Sequence, residues 1–403
     1  MEFGCFEDFV NFIRDKYDCE SWAASREIAG ALSLSNDYAF MDALPSTITL
    51  DDYVSPFDGC IVLYANTLRS LQQKRYLDSF FMQVKSSELF YSDVMQTRKE
   101  ENWFLPIVYQ LCINLWNVAL LADKKFPNLF EKEQNKYLRT AASTILAFYR
   151  DFVADAFSRS ELSKRVGILK LTNILLRIYY TLDQWDIMKA LVKTISNSVE
   201  QWNSFSLSDK IYYSYYTGSQ PGFRFTLKQC SERLTVAFNS CPSKYQKNRR
   251  LILAHLIPVN ILLGKFPRSE FLAKFGFSSL DPLLAAIRVG DVGSVEQFME
   301  TEASCFSGFK SWMFLVKLRR LCYRNLFKIM CTAFGDYQIP LQYFVVVLKC
   351  LTSKDTDVAA VESMLASMIY CGQIGGYISH TSETFVLSRN NPFPAVSDAQ
   401  WTF

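Results

Sequence analysis

Apolar residues recur at every third or fourth position along most of the chain, the spacing that places them on one face of an α-helix. Residues 3–34 predict a first pair of helices, and the same period dominates from Cys60 to about Asn203. Each segment has a single apolar stripe that it cannot bury alone. We therefore predict that consecutive helices pair and stack on one another.

Residues 209–242 partly fit the register of about 34 residues that is typical of tetratricopeptide (TPR) helical hairpins. In this register Gly218 lies at the tight contact between the helices, and Cys230 and Ala237 lie at the two positions that require small side chains. Leu234 lies at the position for a large side chain, and Pro242 ends the unit. No strict repeat occurs elsewhere. The pattern predicts a right-handed, TPR-like α-solenoid of degenerate helical hairpins.

Three shorter helical segments follow at 309–335, 340–352 and 357–372. Between 373 and 388 the period changes to two on either side of a polar turn, which indicates a β-hairpin. We expect this hairpin to be the only sheet of an otherwise all-α protein. Three helices followed by a two-stranded wing are the order of elements in a winged helix.

Composition is consistent with long helices, because glycine (15) and proline (12) both fall below their usual share. No apolar run approaches the roughly 18 residues of a membrane span, and Lys349 interrupts the segment YFVVVLKCL. Glu2, Glu7 and Asp8 lie where a secretory signal would be positively charged. The sequence predicts a soluble intracellular protein without a membrane partner.

The residues needed for metal or catalytic chemistry are scarce. The 11 cysteines form no C-x-x-C pair, and the two histidines, His255 and His380, are not at ligand spacing. We expect His255 in the core, because its segment is apolar, and His380 in a solvated turn. No phosphate-binding loop, nucleophile elbow or H-E-x-x-H motif occurs. We predict no cofactor, no metal and no enzyme activity.

Charge is unevenly distributed along the chain. Residues 210–330 contain 18 Lys+Arg and 7 Asp+Glu, a net charge of +11, and the remainder of the chain has a net charge of −8. A basic block in an otherwise acidic chain indicates an acidic partner, either a protein or a nucleic acid. Ordinary solvated helix faces are the alternative.

One helical segment, 313–330, concentrates this charge. At 100° per residue, one side of the helix receives Lys317, Arg320, Arg324 and Lys328. The opposite side receives the apolar residues Leu315, Leu318, Cys322, Leu326 and Ile329. Arg319 lies off the basic stripe, and we expect it to contact a neighbouring element. Since four like charges on one face repel each other, we predict that phosphates or carboxylates face the stripe and that folding does not require it.

The segment DVAAVESMLASMIYCG occupies the position of a recognition helix but contains no Lys or Arg. Sequence-specific reading of duplex DNA is therefore not expected. We predict nonspecific binding of RNA or single-stranded DNA through the basic stripe together with Lys349 and Arg389. The small apolar residues of the segment are better suited to packing against a partner protein.

Several stretches are similar to one family: RKEENWFLP, KNRRLILAHLIPVNILLGKFP, YRNLFK, GGYISH and NPFP. Their order and spacing resemble the Thp-type branch of the PCI superfamily, the PCI domain-containing protein 2 family, over nearly the whole chain. The chain departs from the family pattern after Gly218, where SQPG replaces an expected basic residue. The predicted parts are an N-terminal helical repeat region (1–208), the helical (209–322) and winged-helix (323–390) parts of a PCI domain, and a tail (391–403).

This resemblance implies a non-catalytic scaffold subunit of TREX-2, the complex that couples transcription to nuclear mRNA export. Members of the family pair their winged helix with that of a larger GANP/Sac-type PCI protein and bind a small acidic subunit shared with the proteasome lid. Together with the basic block, this makes Lys247, Arg249 and Arg250 candidates for contact with the acidic subunit. The expected location is the nucleus, including the nuclear envelope and pore, with some protein in the cytoplasm.

The related alternative is a PCI scaffold of the signalosome- or splicing-associated kind, which binds proteins only. In that case the basic stripe faces the acidic subunit rather than nucleic acid. The larger PCI protein that co-purifies with the chain distinguishes the two.

Overall fold

The computed structural model describes residues 3–38, 55–98, 100–127, 134–155, 162–197, 199–219, 226–301, 312–352, 355–399 and 401. Contacts divide the chain into two compact units, Met1–Tyr213 and Ser214–Phe403. Each unit is described by itself.

In the first unit most helices pack against the next helix in chain order. They are α1 (Phe6–Asp18), α2 (Trp22–Ala31), α3 (Asp58–Gln72), α4 (Tyr76–Leu89), α5 (Leu105–Lys125), α6 (Lys136–Ala154), α7 (Ile168–Thr181) and α8 (Trp185–Ser196). Ser21 caps the start of α2 by accepting a hydrogen bond from the Ala24 amide. The predicted pairing of consecutive helices is confirmed for α1 with α2 and from α3 through α8, whereas α2 packs against α5 rather than α3.

Helix α5 differs from the expectation drawn from its sequence. It is long and apolar enough to cross a membrane by length and composition, so the statement that no segment approaches that length is wrong. Within the unit, 61% of its most apolar window is buried. Apolar residues surround it on several sides because α2, α4, α6 and α7 all pack against it. This is the environment of a core helix.

The predicted TPR-like hairpin corresponds to α9 (Leu207–Gly218) and α10 (Leu227–Ser240), and the division between the units falls within α9. A Cβ atom at Gly218 would lie 2.9 Å from Leu234 Cγ, so only glycine allows this close approach. The two predicted small slots and the large slot are fully buried at Cys230, Ala237 and Leu234. The register predicted for these positions is confirmed.

The second unit continues with α11 (Gln246–Leu262), α12 (Ser269–Lys274), α13 (Leu280–Val289), α14 (Val292–Thr301), α15 (Trp312–Phe334), β1 (Gln338–Pro340), α16 (Leu341–Thr352), α17 (Val358–Tyr370), β2 (Gly376–Ser379) and β3 (Thr384–Leu387). Helix α15 packs against α11, α13 and α14. The predicted domain boundary at 322/323 falls inside α15, which is one continuous helix.

The small sheet has three strands in the order β1-β3-β2, all antiparallel, rather than the predicted two. Phe385 at its centre pairs with Ile339 on one side and Ile378 on the other. Phe385 and Ile339 are buried, so this face closes the core of the three-helix unit formed by α15, α16 and α17. The strand that the sequence analysis missed has only three residues, too few for an alternating pattern to be recognised.

These elements confirm the predicted fold class. Helices predominate in both units, and among the described residues the sheet is confined to the winged-helix part of the second unit. The expected core position of His255 is also confirmed, since its ring is buried between Tyr215 and Phe314. His380 is exposed, as expected, and lies 2.9 Å from Glu362.

Candidate functional site

The four cations of the predicted basic stripe lie on α15, but they do not share one environment. Lys328 is exposed, Lys317 and Arg320 are half-buried, and Arg324 is only 4% exposed. On the predicted apolar side the first four residues are buried, whereas Ile329 is 47% exposed. The helix therefore has a basic end open to solvent and a basic middle inside the unit.

Arg324 binds the chain's own oxygen atoms. Its Nε donates to the Gln373 carbonyl at 3.1 Å, Nη2 to the Pro394 carbonyl at 2.7 Å and Nη1 to Asn325 Oδ1 at 3.2 Å. Its guanidinium also lies 5.8 Å from the Phe393 ring. Burial lowers the pKa of Arg324. Arg324 thus fastens the C-terminal segment 391–394 to the winged-helix unit, where the Gly375 amide also donates to the Pro392 carbonyl at 2.7 Å.

Arg320 supplies a cation to the C-terminal end of α17. Its Nη2 donates to the Ser367 carbonyl at 2.5 Å, and its Nε donates to Gln373 Oε1 at 3.0 Å. Helix α17 has no basic residue in its own last turn. Because the carbonyl end of a helix attracts positive charge, the guanidinium from α15 provides what α17 lacks.

These contacts correct the prediction for the stripe. Arg320 and Arg324 contact oxygen atoms of the chain itself rather than lying open to phosphates, so we now expect folding to depend on them, contrary to the sequence-based prediction, which stays untested. The charge repulsion that suggested an external anion is relieved by burial and by these carbonyl groups. Binding of nucleic acid at the stripe stays a prediction, and its accessible members are Lys328 and, in part, Lys317. Burial, and then the charge of Arg320, lower the pKa of Lys317.

The other candidate nucleic-acid contacts are partly engaged. Lys349 forms an ion pair with Asp355 at 2.8 Å, and the Arg389 guanidinium lies 5.6 Å from the Tyr337 ring. Both side chains remain near the surface. Arg319 pairs with Glu296 on α14 at 3.6 Å, which confirms the expectation that it contacts a neighbouring element.

The three candidate contacts for an acidic partner lie in the first turn of α11, and they also differ. Arg249 lies over two rings, 4.4 Å from the Phe238 centroid and 5.6 Å from that of Phe275. Arg250 lies 5.4 Å from the Phe277 ring and donates to the Gly276 carbonyl at 3.4 Å. Only Lys247 extends into solvent without such a contact among the described residues.

The rings beneath Arg249 form a surface cluster. Phe238, Phe271 and Phe275 have centroid separations of 5.1 to 6.4 Å, and each is half-buried. Two exposed lysines lie on the helices next to this cluster: Lys247 near the start of α11 and Lys274 at the end of α12. Phenylalanine rings next to cations can accept an acidic segment that also has apolar side chains.

Helix α17, at the position of a recognition helix, presents a face whose fully exposed residues are uncharged, with the partly exposed Glu362 paired to His380 at its side. Its exposed residues recur at helical spacing and are Ala359, Ser363, Ala366, Ser367 and Tyr370. Tyr370 is 83% exposed. Small side chains allow another backbone to approach closely, and a large exposed aromatic ring at the end of the face can anchor the contact.

The contact between Arg324 and the C-terminal segment was not predicted from the sequence. One signal was available in NPFP, a segment of the family pattern with two prolines, and a second, for the neighbouring contact of Arg320, in the absence of a basic residue at the end of α17. Neither signal identifies which arginine provides the contact, because Pro394 is 70 residues from Arg324 along the chain.

Helical hairpins that lead into three helices and a small antiparallel sheet define a helical array with a winged-helix unit, the architecture of PCI-domain proteins. No family model matches the chain. A PCI domain-containing protein 2 homolog of Caenorhabditis briggsae is 31% identical over 403 residues, covering 97% of each chain. The chain belongs to the PCI domain-containing protein 2 family.

Two further proteins are similar to the chain. A PCI domain-containing protein 2 homolog of Caenorhabditis elegans is 30% identical over 344 residues, covering 85% of this chain and 83% of the relative. The Protein CSN12 homolog of Schizosaccharomyces pombe is 28% identical over 306 residues, covering 72% of this chain and 71% of the relative. The resemblance detected in the sequence motifs is confirmed.

Proposed function

We propose that this protein is a non-catalytic scaffold subunit of TREX-2, acting in transcription-coupled export of mRNA at the nuclear pore. Its proposed protein partners are a larger GANP/Sac-type PCI protein and the small acidic subunit. Family membership over 97% of the chain supports a PCI scaffold, since proteins of this class form complexes with other PCI proteins. The observation that carries the proposal is the outer face of α17, whose fully exposed residues are small or aromatic and carry no charge.

This face favours a protein partner over duplex DNA. Its five exposed residues have no Lys, Arg, Asn or Gln, the side chains that read base edges in a major groove. Apolar and small residues with one aromatic anchor are typical of the centre of a protein interface. We assign the α17 face to the winged helix of the larger PCI protein.

The basic character of the second unit favours the acidic subunit as a second partner. Residues 214–403 contain 20 basic and 13 acidic residues, a net charge of +7, whereas residues 1–213 have 23 and 27, a net charge of −4. We place the acidic segment along α11 and α12, with Lys247 in contact with its carboxylates and the phenylalanine cluster in contact with its apolar side chains.

Nonspecific binding of RNA or single-stranded DNA is the third part of the proposal. The accessible cations for it are Lys328, the half-buried Lys317 and the surface residues Lys349 and Arg389. Backbone phosphates are the partner that such scattered cations bind without reading sequence.

The alternative function is a scaffold that binds proteins only, in a signalosome- or splicing-associated complex. The 28% identity to a protein named CSN12 homolog favours it. In this alternative the cations of the second unit bind acidic proteins, and oligonucleotide affinity is absent from the purified complex.

A substitution on α17 tests the proposal. The full chain is co-expressed with a GANP/Sac-type PCI protein from the same organism, as the wild type and as Ala366→Arg. We expect the arginine to abolish co-purification, because it places a long charged side chain among the small exposed residues of this face. The matched control is Ala285→Arg on α13, also at an exposed helical position. Undiminished co-purification of the Ala366→Arg variant would contradict the assignment of this face.

A further inference from the structure

A groove lies in the second unit between the loop after α11, helix α13 and the C-terminal half of α15. It encloses about 560 Å³ and is open to solvent along one side. Phe266, Ile329 and Ala333 contribute its carbon-rich lining. This volume is sufficient for two or three side chains of a bound peptide, and it lies within the range of ligand sites in general.

Two cations lie at this groove. Arg288 comes from α13 and Lys328 from α15, and both are exposed. None of the described residues that line the groove is acidic. Uncompensated cations beside an apolar surface favour a ligand that combines carboxylates with an apolar side chain.

The position of the walls is fixed by contacts between α13 and α15. Gly290 ends α13 with a φ of +73°, and a Cβ atom there would lie 2.7 Å from the Leu326 backbone. The Asn325 side chain donates to the Ile287 carbonyl at 2.8 Å. Because the two helices touch backbone to backbone beneath it, the groove is a preformed feature of the unit, and a ligand pays little conformational cost there.

The lining favours a peptide over a nucleic acid. Phe266 is the only aromatic residue among the described lining residues, and the Arg288 guanidinium already lies 4.7 Å from its ring. Successive bases need several free aromatic faces. Ile329, which is 47% exposed, instead offers an aliphatic surface next to both cations.

We propose that this groove binds a short acidic segment of a partner protein, with one aliphatic or aromatic side chain seated against Ile329 and Ala333. Carboxylates on either side of that anchor contact Arg288 and Lys328. The groove shares no residue with the Lys247 surface or the α17 face, so this inference does not depend on either assignment, but it shares Lys328 with the proposed nucleic-acid contact.

A combinatorial library of 12-residue displayed peptides tests the inference on the full chain. Peptides are selected on the wild type, and the affinity of each recovered peptide is then measured for the wild type and for the Arg288→Glu/Lys328→Glu variant. We expect peptides with at least two acidic residues around a leucine, isoleucine or phenylalanine, and a loss of affinity of about tenfold or more in the double variant. Ile329→Ser keeps the charge and should also weaken binding, by several-fold.

The matched control is Lys228→Glu/Lys244→Glu, which makes the same charge change at two exposed positions of the second unit outside the groove. Peptides of the groove should bind this control as they bind the wild type. Thermal unfolding followed by circular dichroism confirms that each variant is folded. The inference is overturned if no recovered peptide discriminates against the groove variant, or if the discriminating peptides lack acidic residues. It is also overturned if the groove variant keeps its affinity for the peptides and loses only its affinity for single-stranded RNA.

Discussion

Two basic clusters of the second unit look alike in sequence and differ in structure. The α11 cluster contains Lys247, Arg249 and Arg250, and the α15 cluster contains Arg320, Arg324 and Lys328. In both, the arginines contact the chain's own groups: aromatic rings in the first, and in the second mainly oxygen atoms. In both, a lysine remains exposed.

The contrast between arginine and lysine within each cluster follows from side-chain chemistry. A guanidinium is planar, carries five donors and stacks on rings, so it can serve a folded interior, whereas an ammonium is strongly hydrated and stays in water. The comparison teaches that a basic run is not one binding feature. Here Arg249, Arg320 and Arg324 contact the unit's own groups, whereas Lys247 and Lys328 extend into solvent, where a partner can reach them.

Substitution of Arg324 gives the strongest test of this division of roles. Arg324→Ala removes the donors to Gln373 and Pro394, and we expect a loss of roughly 2–4 kcal/mol in the free energy of unfolding. Urea denaturation of the wild type and variant measures it. The matched control Lys328→Ala, on the same helix, should change stability by less than about 0.5 kcal/mol. Equal effects would break the comparison.

Deletion of residues 391–403 removes the acceptor from Pro394 while leaving Arg324 in place. We expect a smaller loss, roughly 1–3 kcal/mol, because the hydrogen bonds from Arg324 to Pro394 and from Gly375 to Pro392 disappear together with the contact with Phe393. Urea denaturation of the deletion variant that also carries Arg324→Ala measures the coupling between the two changes. Together they should lower the free energy of unfolding by less than the sum of the two separate losses. Strict additivity would show that the tail and Arg324 act independently.

The α11 cluster should show the same contrast on a smaller scale. Arg249→Ala loses a guanidinium that lies over two rings, which should lower stability by about 1 kcal/mol. Lys247→Ala should leave stability within about 0.5 kcal/mol of the wild type but weaken retention of the small acidic subunit at low salt. A reversed pattern, with Lys247 needed for stability, would overturn the division of roles in this cluster.

A salt titration separates the two clusters by partner. If the purified complex binds single-stranded RNA through exposed cations of α15, Lys328→Ala should flatten the slope of log affinity against log salt by about 0.7. Lys244→Ala, next to the α11 cluster, should leave the slope unchanged. The opposite result would move the nucleic-acid contact to α11, and a complex without measurable affinity would favour the protein-only scaffold.

The sequence carries much of the fold. Helical periods predict the consecutive pairing, and the contacts of Gly218, Cys230 and Leu234 follow from a local register within one hairpin. The roles of Arg320 and Arg324 do not follow from it. A helical wheel shows which face a residue occupies, but the acceptors of Arg324 are 49 and 70 residues distant in the chain. Only tertiary structure determines whether that face meets water or carbonyl groups.

The contact at Arg324 has a consequence for mutational tolerance. Its acceptors from Gln373 and Pro394 are main-chain oxygens, which any residue supplies. A change of side chain at 394 leaves the acceptor present, whereas a change at 324 removes every donor at once. In a saturation mutagenesis experiment selected for folded protein, position 324 should therefore accept few residues and position 394 many. The donor and the acceptor residue of one hydrogen bond would then tolerate very different numbers of substitutions.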